Sequence, residues 1–84
     1  MRIDNIHPGE ILNEDFLKPL GLTISKFAED VQLPQSQIQN IIDGVEDITN
    51  ETAQKFSNYF SMSLEFWLGL QRNYDEEEKL REKE

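Results

Sequence analysis

The chain has 84 residues, no cysteine, a formal net charge of −9 and a pI near 4.4. A single small domain of this size buries only about 60% of its unfolded surface, which leaves no room for a deep catalytic cleft beside a core. The lack of cysteine excludes a disulfide framework and a thiolate metal site and fits a reducing cytoplasm. No apolar run approaches the roughly 20 residues that span a bilayer. The N-terminus has no signal-peptide core either, so the sequence reads as a cytoplasmic protein with no membrane partner.

Residues 1–6 form a poorly patterned lead-in. His7-Pro8-Gly9-Glu10 then reads as a helix start, with Pro8 suited to the first helical position and Glu10 to the positive end of the helix dipole. Ile11, Leu12, Phe16 and Leu17 form its buried face, and Lys18-Pro19-Leu20-Gly21 stops it. His7 is the one histidine of the chain, and a lone imidazole at a helix start reads as a structural hydrogen-bonder. It is assigned no chemistry.

Thr23 is the expected cap of a second helix, whose apolar residues Ile24, Phe27, Ala28 and Val31 share one face. A third helix is expected to begin at Pro34, with Ile38, Ile41 and Ile42 turned inward and Gly44 as its stop. Very few residues separate the two. Ala28 is small where two steeply crossing helices would approach, and the layout is that of a helix-turn-helix. Gln32, in the turn, occupies a position expected to need a left-handed backbone, at a strain of about 1 kcal/mol.

The outward residues of the third helix are Gln35, Ser36, Gln37, Gln39, Asn40 and Asp43. An ordinary solvated face more often carries Lys and Glu, whereas five of these six are amides or a hydroxyl. A carboxamide sets a donor beside an acceptor, which matches the N6 and N7 edge of adenine in the major groove. The pattern therefore favours base reading by the second helix of the motif.

After the loop Val45-Glu46-Asp47-Ile48, either Thr49 or Asn50 is the cap of a fourth helix carrying Ala53, Phe56, Tyr59 and Phe60 as an apolar stripe. Its aromatic members are core candidates. Ser63 caps a fifth helix, Leu64 to Arg72, whose Phe66, Trp67 and Leu70 either close the core or supply a dimer contact. The final segment, 75–84, carries six acids against three bases and reads as a solvated tail, a frayed helix or disordered until a partner orders it. The division expected is thus a domain over 1–74 and an acidic tail over 75–84.

Charge argues against tight binding of a polyanion. Between Thr23 and Thr49 the one base is Lys26, set against Glu29, Asp30, Asp43, Glu46 and Asp47. DNA-binding domains are usually basic. A basic protein partner would instead be steered toward such a surface. No paired nucleophile and base, metal-ligand cluster or glycine-rich phosphate loop is present, so no catalytic residue, metal or cofactor is expected.

The strings HPGEIL, PLGLTISKFAEDVQLPQSQIQNIIDG, Ile48-Thr49, ETAQKFSNYF and SLEFWLGLQRNYD together resemble the HigA-type antitoxins of the Xre class. The resemblance runs without gaps from about Ile6 to Asp75. It implies an all-α, five-helix lambda-repressor-like DNA-binding domain that dimerises. It also implies neutralisation of a cognate HigB toxin, a small basic endoribonuclease of the RelE type, and autorepression through a palindromic operator.

Carried onto this chain, the base-reading positions fall on Gln35, Ser36, Gln37, Gln39 and Asn40, and the phosphate contacts on Thr23, Ser25, Lys26 and Asn50. Three departures bear on function. Gln37 stands where relatives commonly have Arg, Val45-Glu46-Asp47 replaces a basic stretch, and Gln32 replaces the glycine of the turn. Operator binding is therefore expected to be weak, with a shallow salt dependence. Two further readings stay open: a protein-binding antitoxin whose DNA binding has decayed, and a plain Xre-type regulator with no toxin.

Overall fold

The computed structural model describes residues 5–82, so residues 1–4 of the lead-in and the last two of the acidic tail lie outside it. Five helices follow one another, and no strand occurs among the described residues. The first, α1, is α-helical over Pro8–Ile11, π-helical over Leu12–Leu17 and α-helical again over Lys18–Leu20. The others are α2 (Ile24–Val31), α3 (Gln35–Ile42), α4 (Asn50–Phe60) and α5 (Leu64–Glu82). This is the lambda-repressor-like arrangement, with α2 and α3 as the helix-turn-helix.

The π-helical stretch has no signal in the sequence pattern, and packing accounts for it. Leu17 lies five positions after Leu12, a spacing that an α-helix would turn to different sides. The wider i→i+5 ladder, closed by the Lys18 N–H on the Asn13 carbonyl, lets both side chains enter the core. Both are at most 1% exposed. Phe27, Ile38, Ile41, Ala53, Phe56 and Trp67 complete the interior at 0%.

Trp67 is the aromatic centre of that interior. Phe16, Phe56, Phe60 and Phe66 surround it at ring separations of 5.2 to 6.1 Å. Phe66 is exposed at the rim, while Leu64, Leu68 and Leu70 pack half-buried against the core, so the fifth helix closes it around the fully buried Trp67.

Four helices end in the same way. The chain turns left-handed at Gly21, Gln32, Gly44 and Ser61. In each case the next N–H reaches back to the last turn: Leu22 to Leu17, Leu33 to Ala28, Val45 to Asn40 and Met62 to Ser57. This ending satisfies the carbonyls that a helix C-terminus leaves unpaired. Gln32, at φ 58, does stand where glycine would be easiest, as the sequence suggested.

Two boundaries differ from the sequence reading. Pro34 is the cap residue of α3, with an extended ψ of 140, and the helix proper begins at Gln35. The fifth helix does not stop at Arg72 but continues to Glu82. Contacts along and beside it support the extension: Glu77 lies 3.8 Å from Arg81, and Asn5 donates to the Tyr74 carbonyl at 3.0 Å.

Candidate nucleic-acid interface

The position of α3 is set from behind. Ile38 and Ile41 are fully buried beneath it, while Gly9 of α1 meets its last turn backbone to backbone. A Cβ at residue 9 would overlap the Ile41 carbonyl and crowd Ile42 Cα. Only glycine allows this approach. Pro8 and Gly9 are presented by the cap residue His7, whose Nδ1 accepts the Gly9 N–H at 2.9 Å. The histidine is therefore the hydrogen-bonder expected. Ala28, the small residue expected where α2 and α3 cross, is buried, and Gly9 adds a close approach between α1 and α3 that the sequence reading does not contain.

With its inner side so held, α3 leaves Gln35, Ser36, Gln39, Asn40 and Asp43 exposed, and Gln37 half-buried. Four of the five base-reading candidates, Gln35, Ser36, Gln39 and Asn40, are thus on the solvent side of one helix, and Gln37 is only partly so. Gln39 is further constrained, because its Nε2 donates to Asp43 Oδ1 at 3.0 Å. The loop that follows is pinned to α5: the Ile48 N–H donates to Gln71 Oε1 at 2.8 Å, and Gln71 Nε2 donates to Asp75.

The four phosphate candidates occupy two helix starts. Thr23 caps α2 by accepting the Lys26 N–H at 3.0 Å, with Ser25 exposed beside it in the first turn. Thr49, not Asn50, caps α4 by accepting the Thr52 N–H, which leaves Asn50 as the exposed first residue of that helix. Backbone N–H groups at such termini favour an anion.

The cations near this surface are engaged within the protein. Lys26 Nζ lies 3.1 Å from the Asp30 carboxylate, which also accepts the Tyr59 hydroxyl at 2.8 Å. The Tyr59 hydrogen bond, then Lys26, holds the Asp30 carboxyl below its ordinary range, and Asp30 in turn raises both Lys26 and Tyr59. Lys55 donates to the Val31 carbonyl at 3.3 Å, at the C-terminal end of α2. The Lys26–Asp30 pair follows from its i,i+4 spacing along α2, whereas the Tyr59 and Lys55 bonds depend on the α2–α4 contact and are not legible in the sequence.

Comparison with known proteins decides the family. Residues 14–67 match the Helix-turn-helix family. An addiction-module antidote protein of the HigA family from Coxiella burnetii superposes with a TM-score of 0.89 at 32% identity, over 95% of this chain and 87% of that one.

The chain belongs to the HigA-like, Xre-type helix-turn-helix proteins.

A second HigA structure, the Pseudomonas aeruginosa antitoxin with the higBA promoter, has a TM-score of 0.83 at 29% identity over 86% and 78% of the two chains. Among sequence relatives, virulence-associated protein I of Dichelobacter nodosus is 40% identical over 83% of this chain. An HTH-type transcriptional regulator of Haemophilus influenzae is 42% identical over 80% of it. The chain spans 65% and 63% of the lengths of these two relatives. The family is one of DNA-binding regulators and antitoxins, not of enzymes. No helix among the described residues is long and apolar enough to cross a membrane.

Proposed function

We propose that this HigA-like protein is the antitoxin of a type II toxin–antitoxin pair. It neutralises a basic HigB/RelE-like endoribonuclease and, as a homodimer, represses its own operon through operator DNA. The observation that carries the DNA-binding half is the exposed carboxamide row of α3, held outward by the Gly9 approach and the buried Ile38 and Ile41. Gln35, Ser36, Gln37, Gln39 and Asn40 read base edges, while Thr23, Ser25, Lys26 and Asn50 with their helix N-termini receive phosphates. The relative from Pseudomonas aeruginosa that was solved with a promoter supports this reading.

The toxin-binding half is supported by the HigA names of the relatives and by the formal charge of −9, which steers a basic partner. The same charge favours a second reading, in which the protein covers a toxin but holds DNA weakly. Lys26 is committed to Asp30, so few phosphates are neutralised and affinity depends little on salt.

The two readings separate in one experiment. A gel-shift with the DNA upstream of its own coding sequence is run with wild type and with the Gln35→Ala, Gln39→Ala double variant, alongside growth rescue from a co-expressed toxin of the neighbouring gene. The proposal expects a wild-type shift that the double variant loses, with rescue intact. Rescue without any shift leaves the protein-binding reading, and loss of rescue in the variant makes the amide face the toxin site.

A further inference from the structure

We propose that Asp43 orients the Gln39 carboxamide and so fixes the base that Gln39 can read. This rests on the assignment of α3 to base reading and adds a residue outside the row itself. Gln39 and Asp43 lie four apart on one exposed side of α3, where side chains of this spacing meet. The Gln39 Nε2 donates to Asp43 Oδ1 at 3.0 Å, and the Asp43 N–H donates to the Gln39 carbonyl at 2.9 Å. Side chain and main chain therefore tie the two residues together.

An ionised carboxylate accepts hydrogen bonds and donates none. The nitrogen end of the Gln39 amide must face it, because the flipped amide would set Oε1 against the carboxylate oxygens. Oε1 and the second N–H of Nε2 are left for a ligand. That edge pairs with adenine, whose N6 donates and whose N7 accepts. Guanine offers acceptors at both O6 and N7, and the oriented oxygen opposes it. A carboxamide able to flip would lose part of this distinction. Among the described residues no comparable bond holds Gln35, Gln37 or Asn40, so the orientation is particular to Gln39.

Asp43 is thus a positioning residue. It also places a negative charge beside the groove, and the two effects differ in what they move. Repulsion weakens binding to every sequence alike, whereas orientation changes the preference between bases.

The test measures binding of wild type, Asp43→Asn, Asp43→Glu and Gln39→Ala to the DNA upstream of the protein's own coding sequence and to its single A·T to G·C substitutions. At the base pair where Gln39→Ala erases discrimination, wild type should prefer A·T by about tenfold, the range of one bidentate contact. Asp43→Asn should bind all duplexes more tightly yet cut that preference to about twofold, and Asp43→Glu should keep most of it. A uniform gain in affinity with the preference unchanged overturns the role of Asp43 alone. If Gln39→Ala leaves every preference unchanged, base reading by Gln39 fails with it. Circular dichroism of each variant confirms that the helices are retained.

Discussion

Along the outer side of α3 the polar groups face water, whereas behind its C-terminal end Gln71 and His7 are buried, each holding a backbone N–H. There Gln71, at 6% exposure, joins the Ile48 N–H to Asp75. His7 packs its ring edge-on to Tyr74 at 4.8 Å and approaches Asp47 at 3.5 Å, and burial raises the Tyr74 hydroxyl's pKa. The seam between α1, the loop after α3 and α5 decides where the amide row stands. The row itself decides what it touches. Placement and reading thus rest on separate residues, and substitutions should divide accordingly.

The largest effect is expected at the seam. Gly9→Ala sets a methyl group into the Ile41 carbonyl, and neither backbone can yield without moving α3. Overpacking of this kind costs about 3 kcal/mol. Denaturant unfolding should show that loss, and DNA binding should fall because the row is displaced. Next comes Gln71→Leu, which leaves the buried Ile48 N–H without a partner. The expected loss is about 2 kcal/mol, read in the same unfolding assay, with the affinity of the folded fraction unchanged.

Smaller effects belong to the exposed face. Asp30→Asn releases Lys26 from its ion pair, so one more cation can meet a phosphate. The slope of log affinity against log salt should steepen by about 1, with no change in base preference. The same cluster fixes the sign of a pH effect. Asp30 is held low by Tyr59 and Lys26, so its contribution to stability is full above the ordinary carboxylate range and is lost as pH falls through its lowered pKa. Lys26 and Tyr59 are raised, so theirs is present below their ordinary ranges and is lost as pH rises through the raised values. All three groups are solvated and the effect is small. Gln32→Gly should do least to binding while raising stability by up to about 1 kcal/mol, since φ 58 suits glycine.

What the sequence made legible was local. Thr23 caps its helix, Thr49 is the one of the two candidates that caps α4, the Ser63 hydroxyl accepts the Phe66 N–H, and Gln32 takes the left-handed turn. Each of these depends on neighbours within one turn, where composition and spacing carry the signal. Gly9 looked like part of a helix start because its partner, Ile41, lies far along the chain. The π-helical widening at Leu12–Leu17 answers a tertiary need to bury both leucines. The acidic end of α5 reads as a solvated tail or frayed helix on its charge, and its Asn5 contact, which crosses the whole chain, has no local signal. On the binding face, exposure of the amides and the i,i+4 meeting of Gln39 with Asp43 and of Lys26 with Asp30 follow from helical phase, but the Tyr59 and Lys55 bonds from α4 to α2 do not.

On the proposed function, the carboxamide side of α3 enters a DNA groove. Isotope-labelled protein titrated with the duplex upstream of its own coding sequence tests it through the side-chain NH2 resonances. Those of Gln35, Gln39 and Asn40 should shift together on binding, while that of buried Gln71 stays in place. Shifts confined to α1 and α5, with the three amides unmoved at saturation, would contradict the account.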